Sequence, residues 1–340
     1  MAATIKDVAE RAGVNPSTVS RVINEDPKLS IRDETRQRIL DAIRELDYHP
    51  NAVARSLRLR STRTLGMIIP DITNPFFPEV IKGAEGAAAE RGFSLMLCNT
   101  DEDPEKEKAY LDLLAEKKVD GFLMATAFSH DSTVKFLKDK GHPFILVNRS
   151  SRDVSGRCVV VDDVDGAGVA VDHLADLGHT RIAHVAGVLF TETGLSRLEG
   201  YRLTLNKRRI PFEPDYMVEG GFREKDGYRA TRRLLGLPVP PTAVFAANDL
   251  VALGALTAAS ELGLRVPEDL SIVGYNDVPL AEKVTPALTT IHVPLYDMGY
   301  LAAELLTKLI QGEKVAEDRV VLKGELVVRQ STGPAREKVG

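Results

Sequence analysis

Cysteine is scarce in this 340-residue chain, which has only Cys98 and Cys158. They make no metal-ligand spacing, and both are expected to be reduced packing residues rather than a disulfide. No apolar run approaches the roughly 20 residues of a membrane span. The N-terminus lacks a signal-peptide core, so a cytoplasmic protein with no membrane partner is expected. Catalytic signatures are missing as well. There is no His-Glu-x-x-His, no Gly-x-Ser-x-Gly, no P-loop and no Gly-x-Gly-x-x-Gly. The seven histidines are scattered, and His179, His184 and His292 read as strand-end or lobe-interface residues. No metal, no cofactor and no enzymatic activity are expected.

Nor is there an excess of positive charge, since the net charge is −5. Divided along the chain, the balance changes meaning. Residues 1–63 hold 12 Lys/Arg and 9 Asp/Glu, a net of +3, which leaves −8 for the remainder. A positive head on a negative body suits one end that meets phosphate and another that does not. The length suggests two or three domains, and 44% hydrophobic with 27% charged residues suits a globular fold.

The first 50 residues carry the most specific pattern. Thr4 can cap a first helix, with Asp7 as its capping-box partner. Val8, Ala9 and Ala12 recur at helical spacing, and Gly13 can take the positive φ that ends the helix. Asn15 is a good cap for a second helix, and Pro16 suits its first position, where a missing N–H costs little. Val19, Val22 and Ile23 then point inward. Pro16, Ser17, Ser20 and Arg21 lie near the N-terminal end or outer face, where a recognition helix meets base edges. A third helix is expected from a Ser30 cap with Asp33, burying Ile39, Ala42, Ile43 and Leu46. The layout is that of a helix-turn-helix.

Residues 4–24, followed by Asp-Tyr-His-Pro-Asn-Ala-Val-Ala-Arg-Ser-Leu at 47–57, resemble the head and hinge of the LacI/GalR family of bacterial transcriptional regulators. The likeness extends over nearly the whole chain. It implies DNA contacts from Thr4, Pro16, Ser17, Thr18, Ser20, Arg21 and Asn24 in the head. In the hinge it implies Asn51, Ala52, Arg55, Ser56 and Leu57. A helix as short as this hinge is marginal alone. Two copies would sit together in the minor groove, with Leu57 as the wedge that kinks the duplex. The operator is then double-stranded and pseudo-palindromic, and the protein a homodimer. No leucine heptad follows the last strand region, so a coiled-coil tetramer is not expected.

Beyond residue 64, short apolar runs alternate with amphipathic stretches, as at 65–69, 93–97, 121–125, 144–147, 181–185, 243–247 and 270–274. Such runs indicate parallel sheets covered on both faces. The fold class expected is an N-terminal all-α helix-turn-helix head plus an α/β periplasmic-binding-protein-like core of two Rossmann-like lobes. The resemblance implies three chain crossings, near 161–164, 290–293 and 323–326. The segments are then 1–49 (head), 50–63 (hinge), 64–162 with 292–324 (first lobe), 163–291 with 325–332 (second lobe) and 333–340 (tail).

Ligands of open parallel sheets meet the loops at the carboxyl ends of strands. Asp71, Asn74, Phe76, Phe77, Asn148, Arg149, Asn248 and Asn276 fall there, and Thr193, Arg197 and Phe222 lie in segments that resemble family effector contacts. Aromatic rings with convergent amides, carboxylates and arginine suit a polyhydroxylated effector, a sugar or its derivative. Many relatives have Asp where this chain has Asn276, so its hydroxyl pattern cannot be copied from them. Whether the effector releases or promotes DNA binding depends on which lobe arrangement it prefers. A solute-binding protein lacks the head, and a sugar- or nucleoside-processing enzyme needs an acid/base pair that the sequence does not offer. A ligand-responsive repressor is the leading reading, with those two as its alternatives.

Overall fold

The computed structural model describes residues 3–24, 26, 28–49, 61–128, 132–151, 156–315 and 319–335. The chain divides into two compact units, residues 1–62 and 63–340.

In the first unit, Thr4 and Asp7 cap helix α1 (Ile5–Ala12) reciprocally, with the Thr4 N–H donating to Asp7 at 2.7 Å. Gly13 ends the helix at φ 65°. The Asn15 side chain accepts the Ser17 N–H at 3.0 Å and starts α2 (Pro16–Ile23). Helix α3 (Asp33–Glu45) departs from the sequence expectation. Arg32, not Ser30, occupies the cap position in extended backbone, and no side chain caps the helix. The chain turns into the helix two residues beyond where a Ser30 cap would act. Asp33 and Glu34 in the first turn supply the negative charge that the helix dipole favours there. Val8, Ala9, Ala12, Val19, Val22, Ile39 and Ala42 form the core, with Ile23, Ile43 and Leu46 packed against it.

The second unit holds two parallel sheets. The six-stranded sheet contains β1 (Thr64–Ile69), β2 (Ser94–Asn99), β3 (Gly121–Met124), β4 (Phe144–Val147), β5 (Cys158–Val161) and β11 (Arg319–Leu322), in the order β11-β5-β4-β3-β1-β2. The four-stranded sheet contains β6 (Ile182–Ala186), β7 (Met217–Glu219), β8 (Ala243–Ala246) and β9 (Ser271–Val273), in the order β7-β6-β8-β9. An antiparallel pair, β10 (Thr290–His292) and β12 (Glu325–Val327), forms a separate two-stranded sheet. Strands such as β3, β4 and β8 are buried along their whole length, as both-face coverage requires.

Helices follow the strands. The first lobe carries α4 (Phe76–Glu90), α5 (Pro104–Glu116), α6 (Ser132–Asp139) and α11 (Leu295–Gln311). The second carries α7 (Asp163–Asp176), α8 (Glu192–Lys207), α9 (Glu224–Leu235) and α10 (Asp249–Glu261). Gly83 and Gly299 let α4 and α11 touch backbone to backbone. A Cβ on Gly83 would overlap the Tyr296 carbonyl, and one on Gly299 that of Val80.

Cys98 and Cys158 are buried free thiols. His184 differs from its expected place at a strand end or lobe interface. It sits in mid-β6, stacked on Phe245 at 4.7 Å between ring centroids and fully buried. That burial pushes its pKa down to about 4, so it is a neutral core residue. No helix among the described residues is long and apolar enough to cross a membrane.

Candidate functional site

The carboxyl ends of strands in both lobes open onto one cleft, the place where open parallel sheets bind ligands. All eleven residues singled out as effector contacts line it: Asp71, Asn74, Phe76, Phe77, Asn148, Arg149, Thr193, Arg197, Phe222, Asn248 and Asn276. Local chain geometry accounts for each. After β1, Asp71 accepts the Thr73 N–H and hydroxyl at 2.9 and 2.6 Å, and Asn74 accepts the Phe76 N–H at 3.0 Å. These turns start α4 with Phe76 and Phe77 buried edge to face, centroids 5.0 Å apart. After β4, Asn148 takes φ 66°, a left-handed conformation Asn tolerates better than most residues, and Arg149 turns inward.

In the second lobe, Thr191 caps α8 and its hydroxyl lies 3.2 Å from that of Thr193. Arg197 on α8 donates to Asp163 at 2.8 Å and to the Ala247 carbonyl at 2.5 Å. Its guanidinium carbon lies 3.8 Å from the centroid of the Tyr275 ring. Phe222 follows β7 and lies against Gly187, where any Cβ would overlap the ring. Asn248 caps α10 by accepting the Val251 N–H at 2.8 Å and donates to the Phe222 carbonyl at 3.0 Å. Its oxygen is therefore engaged by the helix cap and its amide nitrogen by the Phe222 backbone. The Asn276 Oδ1 is buried and has no partner among the described residues.

Sequence reasoning missed several participants. Glu102 and Arg223 also line the cleft. Arg223 of the second lobe reaches Asp71 at 3.4 Å and Glu102 at 3.8 Å in the first, bridging the opening. Both follow strands, β2 and β7, so the strand-end rule would have found them. Asp163 carried no such signal, because its partner Arg197 lies 34 positions away. Asp249 sits behind the cleft, fully buried, with its carboxyl accepting from Thr290 and the Val278 N–H. Burial raises its pKa to about 7 against those bonds.

In the head, Pro16, Ser17 and Asn24 are exposed and Thr18, Ser20 and Arg21 partly so. Some side chains are already engaged. Arg21 donates to Asp26 at 2.8 Å, the Asn24 amide to the Ser20 carbonyl at 2.5 Å, and the Thr4 hydroxyl to Asp7 at 2.8 Å. Asn51, Ala52, Arg55, Ser56 and Leu57 lie outside the described residues.

Residues 4–51 match the bacterial regulatory proteins of the lacI family, and residues 171–332 match the periplasmic binding protein-like domain. The chain is 38% identical over 330 residues to the HTH-type transcriptional repressor PurR of Mannheimia succiniciproducens, covering 97% of this chain and 98% of that one. This chain belongs to the LacI family. Among solved structures it is similar to the lac repressor dimer bound to operator and the anti-inducer ONPF. That match has a TM-score of 0.88 at 29% identity and covers 98% of this chain and 100% of the other. It is also similar to the transcriptional regulator CelR–cellobiose complex, with a TM-score of 0.75 at 33% identity, covering 97% and 99%. The LacI-family assignment makes this chain a DNA-binding transcriptional regulator, and these relatives are regulators rather than enzymes.

Proposed function

We propose that the chain is an effector-switched repressor that binds a pseudo-palindromic operator as a homodimer. Each head reads one half-site through the exposed end of α2, and the effector sits between the lobes. The observation that carries the effector reading is the convergence of eleven polar and aromatic residues from both lobes on one cleft. Phe76 and Phe222 offer ring surfaces from opposite lobes, and the buried, unpartnered Oδ1 of Asn276 requires a donor, as a ligand hydroxyl is. A sugar or sugar derivative satisfies both demands. The similarity to a regulator in complex with cellobiose supports the class.

Coupling follows from geometry. A ligand touching both lobes selects one inter-lobe angle, and roughly 1–3 kcal/mol of coupling is enough to change operator affinity 5- to 150-fold. The test is a thermal-shift screen of sugars and their derivatives on the full chain. Fluorescence anisotropy on a pseudo-palindromic fragment selected from random DNA follows, with and without each hit. A hit that raises the melting temperature and shifts operator affinity supports the reading. Stabilisation without any effect on DNA binding defeats the switch, and sedimentation showing one chain per operator defeats the dimer.

A further inference from the structure

The charges at the cleft cancel in number, with Arg149, Arg197 and Arg223 against Asp71, Glu102 and Asp163, but they are not paired one to one, and Arg149 is left over. Arg223 is matched by Asp71 and Glu102. Arg197 is matched by Asp163 at 2.8 Å, with both side chains almost fully buried. Arg149 is only 8% exposed, its Nε is buried without a hydrogen-bond partner, and among the described residues no carboxylate forms an ion pair with it. Its guanidinium carbon lies 5.9 Å from the centroid of the Phe222 ring.

Burial lowers the Arg149 pKa only to about 10, so the group stays charged at neutral pH. Glu102 and Glu107 favour that charged state from beyond ion-pair distance, while Arg197 opposes it. Glu107 and Asp103 line a side cavity that shares Pro70, Glu102 and Arg149 with the main cleft, but neither lines the main cleft itself. Asp103 is spent capping α5, where it accepts two backbone N–H groups. On its main-cleft side, Arg149 shares the lining with the neutral amides Asn148, Asn248 and Asn276, with Thr193, and with Asp71 and Glu102, which Arg223 engages.

We infer that the effector carries an oxyanion, a phosphate or a carboxylate, seated against the Arg149 guanidinium on the main-cleft side. The inference rests on the cleft being the effector site. A guanidinium already paired, as Arg197 is, can serve neutral hydroxyls without leaving a net charge in a desolvated space. Arg149 has no such partner, and a buried cation without one is costly. A ligand oxyanion meets the planar fork with two parallel N–H···O bonds, the geometry for which arginine is suited. Asn276 and Thr193 remain for the hydroxyls of the same ligand.

The test measures affinities of the full chain, by calorimetry and thermal shift at fixed ionic strength, for matched pairs. Glucose is compared with glucose 6-phosphate and glucuronate, and ribose with ribose 5-phosphate, with inorganic phosphate as the minimal anion. The proposal expects saturable stabilisation by inorganic phosphate and at least a tenfold preference for one anionic member over its neutral partner. Phosphate ester against uronate separates the two oxyanion sources. Arg149→Met should remove the preference and raise the melting temperature of the free protein, because a lone buried charge is gone; Arg149→Lys should retain part of the preference.

A neutral sugar that binds as tightly as its anionic partner overturns the anion assignment and leaves the effector cleft standing. So does a preference unchanged in Arg149→Met. No saturable response to inorganic phosphate together with no preference for glucuronate over glucose also overturns it. Anion binding that survives both Arg149→Met and Asn276→Leu lies elsewhere and defeats the cleft reading itself.

Discussion

Arg197 and Asp163 form an ion pair at 2.8 Å in which neither side chain is more than 6% exposed. Burial is the main cause that raises the Asp163 pKa, and the Arg197 guanidinium is the main group opposing that rise. Arg197→Ala therefore does more than remove a ligand contact. It leaves a buried carboxylate and the Ala247 carbonyl without their donor, at a cost of roughly 3–5 kcal/mol in folding stability. Urea denaturation should show that loss, and the double variant Asp163→Leu/Arg197→Met should recover part of it. A single variant as stable as the parent would show that the pair is not structural.

The Arg223 bridge to Asp71 and Glu102 spans the two lobes with a guanidinium side chain that is 44% exposed. Such a pair contributes under about 1 kcal/mol and is screened by salt. Arg223→Ala should leave the melting temperature nearly unchanged but speed effector release severalfold, and salt should reproduce part of that effect in the parent. Stopped-flow dissociation kinetics checks both; equal release rates would remove Arg223 as a bridge.

Arg21 suits guanine O6 and N7, yet here its Nε is held by Asp26 at 2.8 Å. Arg21→Ala should relax base specificity at one position by roughly 1–3 kcal/mol per half-site. Asp26→Asn removes the competing carboxylate and should tighten operator binding modestly without changing the preferred base. Anisotropy titrations on a set of single-base operator variants read both effects. A uniform loss on all DNA would make Arg21 a phosphate contact.

Asp249 titrates near 7 in the folded protein against 3.8 as its ordinary value, because burial disfavours its charged form. A raised folded pKa means that its stabilising contribution is complete below about pH 4 and is lost as pH rises through 7. Asp249→Asn mimics the protonated acid, with its amide facing Thr290 and its oxygen accepting the Val278 N–H. Relative to this variant, the parent should lose up to about 4 kcal/mol between pH 4 and 8. Parallel pH–stability curves for the two proteins would exclude the buried titration.

Local grammar decided much of this protein. The Thr4–Asp7 box, the Gly13 stop and the Asn15-Pro16 start depend on neighbours a few positions apart, and sequence displays them directly. The fully apolar strands β3, β4 and β8 were legible because parallel sheets bury both faces. Strands β7 and β12, three residues each, are too short for periodicity to mark. The Ser30 expectation failed because a good capping residue cannot act two positions outside the helix start.

The cleft residues could be picked out one by one, since strand ends and family resemblance both point to them. Their division of labour could not. Arg149 and Arg197 are both arginines in one cleft, yet one is paired and the other is not. Asn248 is largely consumed by Val251 and Phe222, while Asn276 keeps a bare acceptor. Those differences depend on which partners the fold brings across 26 to 34 positions of chain, as with Asn248 and Phe222 or Arg197 and Asp163. Sequence determined the types of group at the site. Only tertiary packing decided which hydrogen bonds and charges were already spent inside the protein and which remained for a ligand.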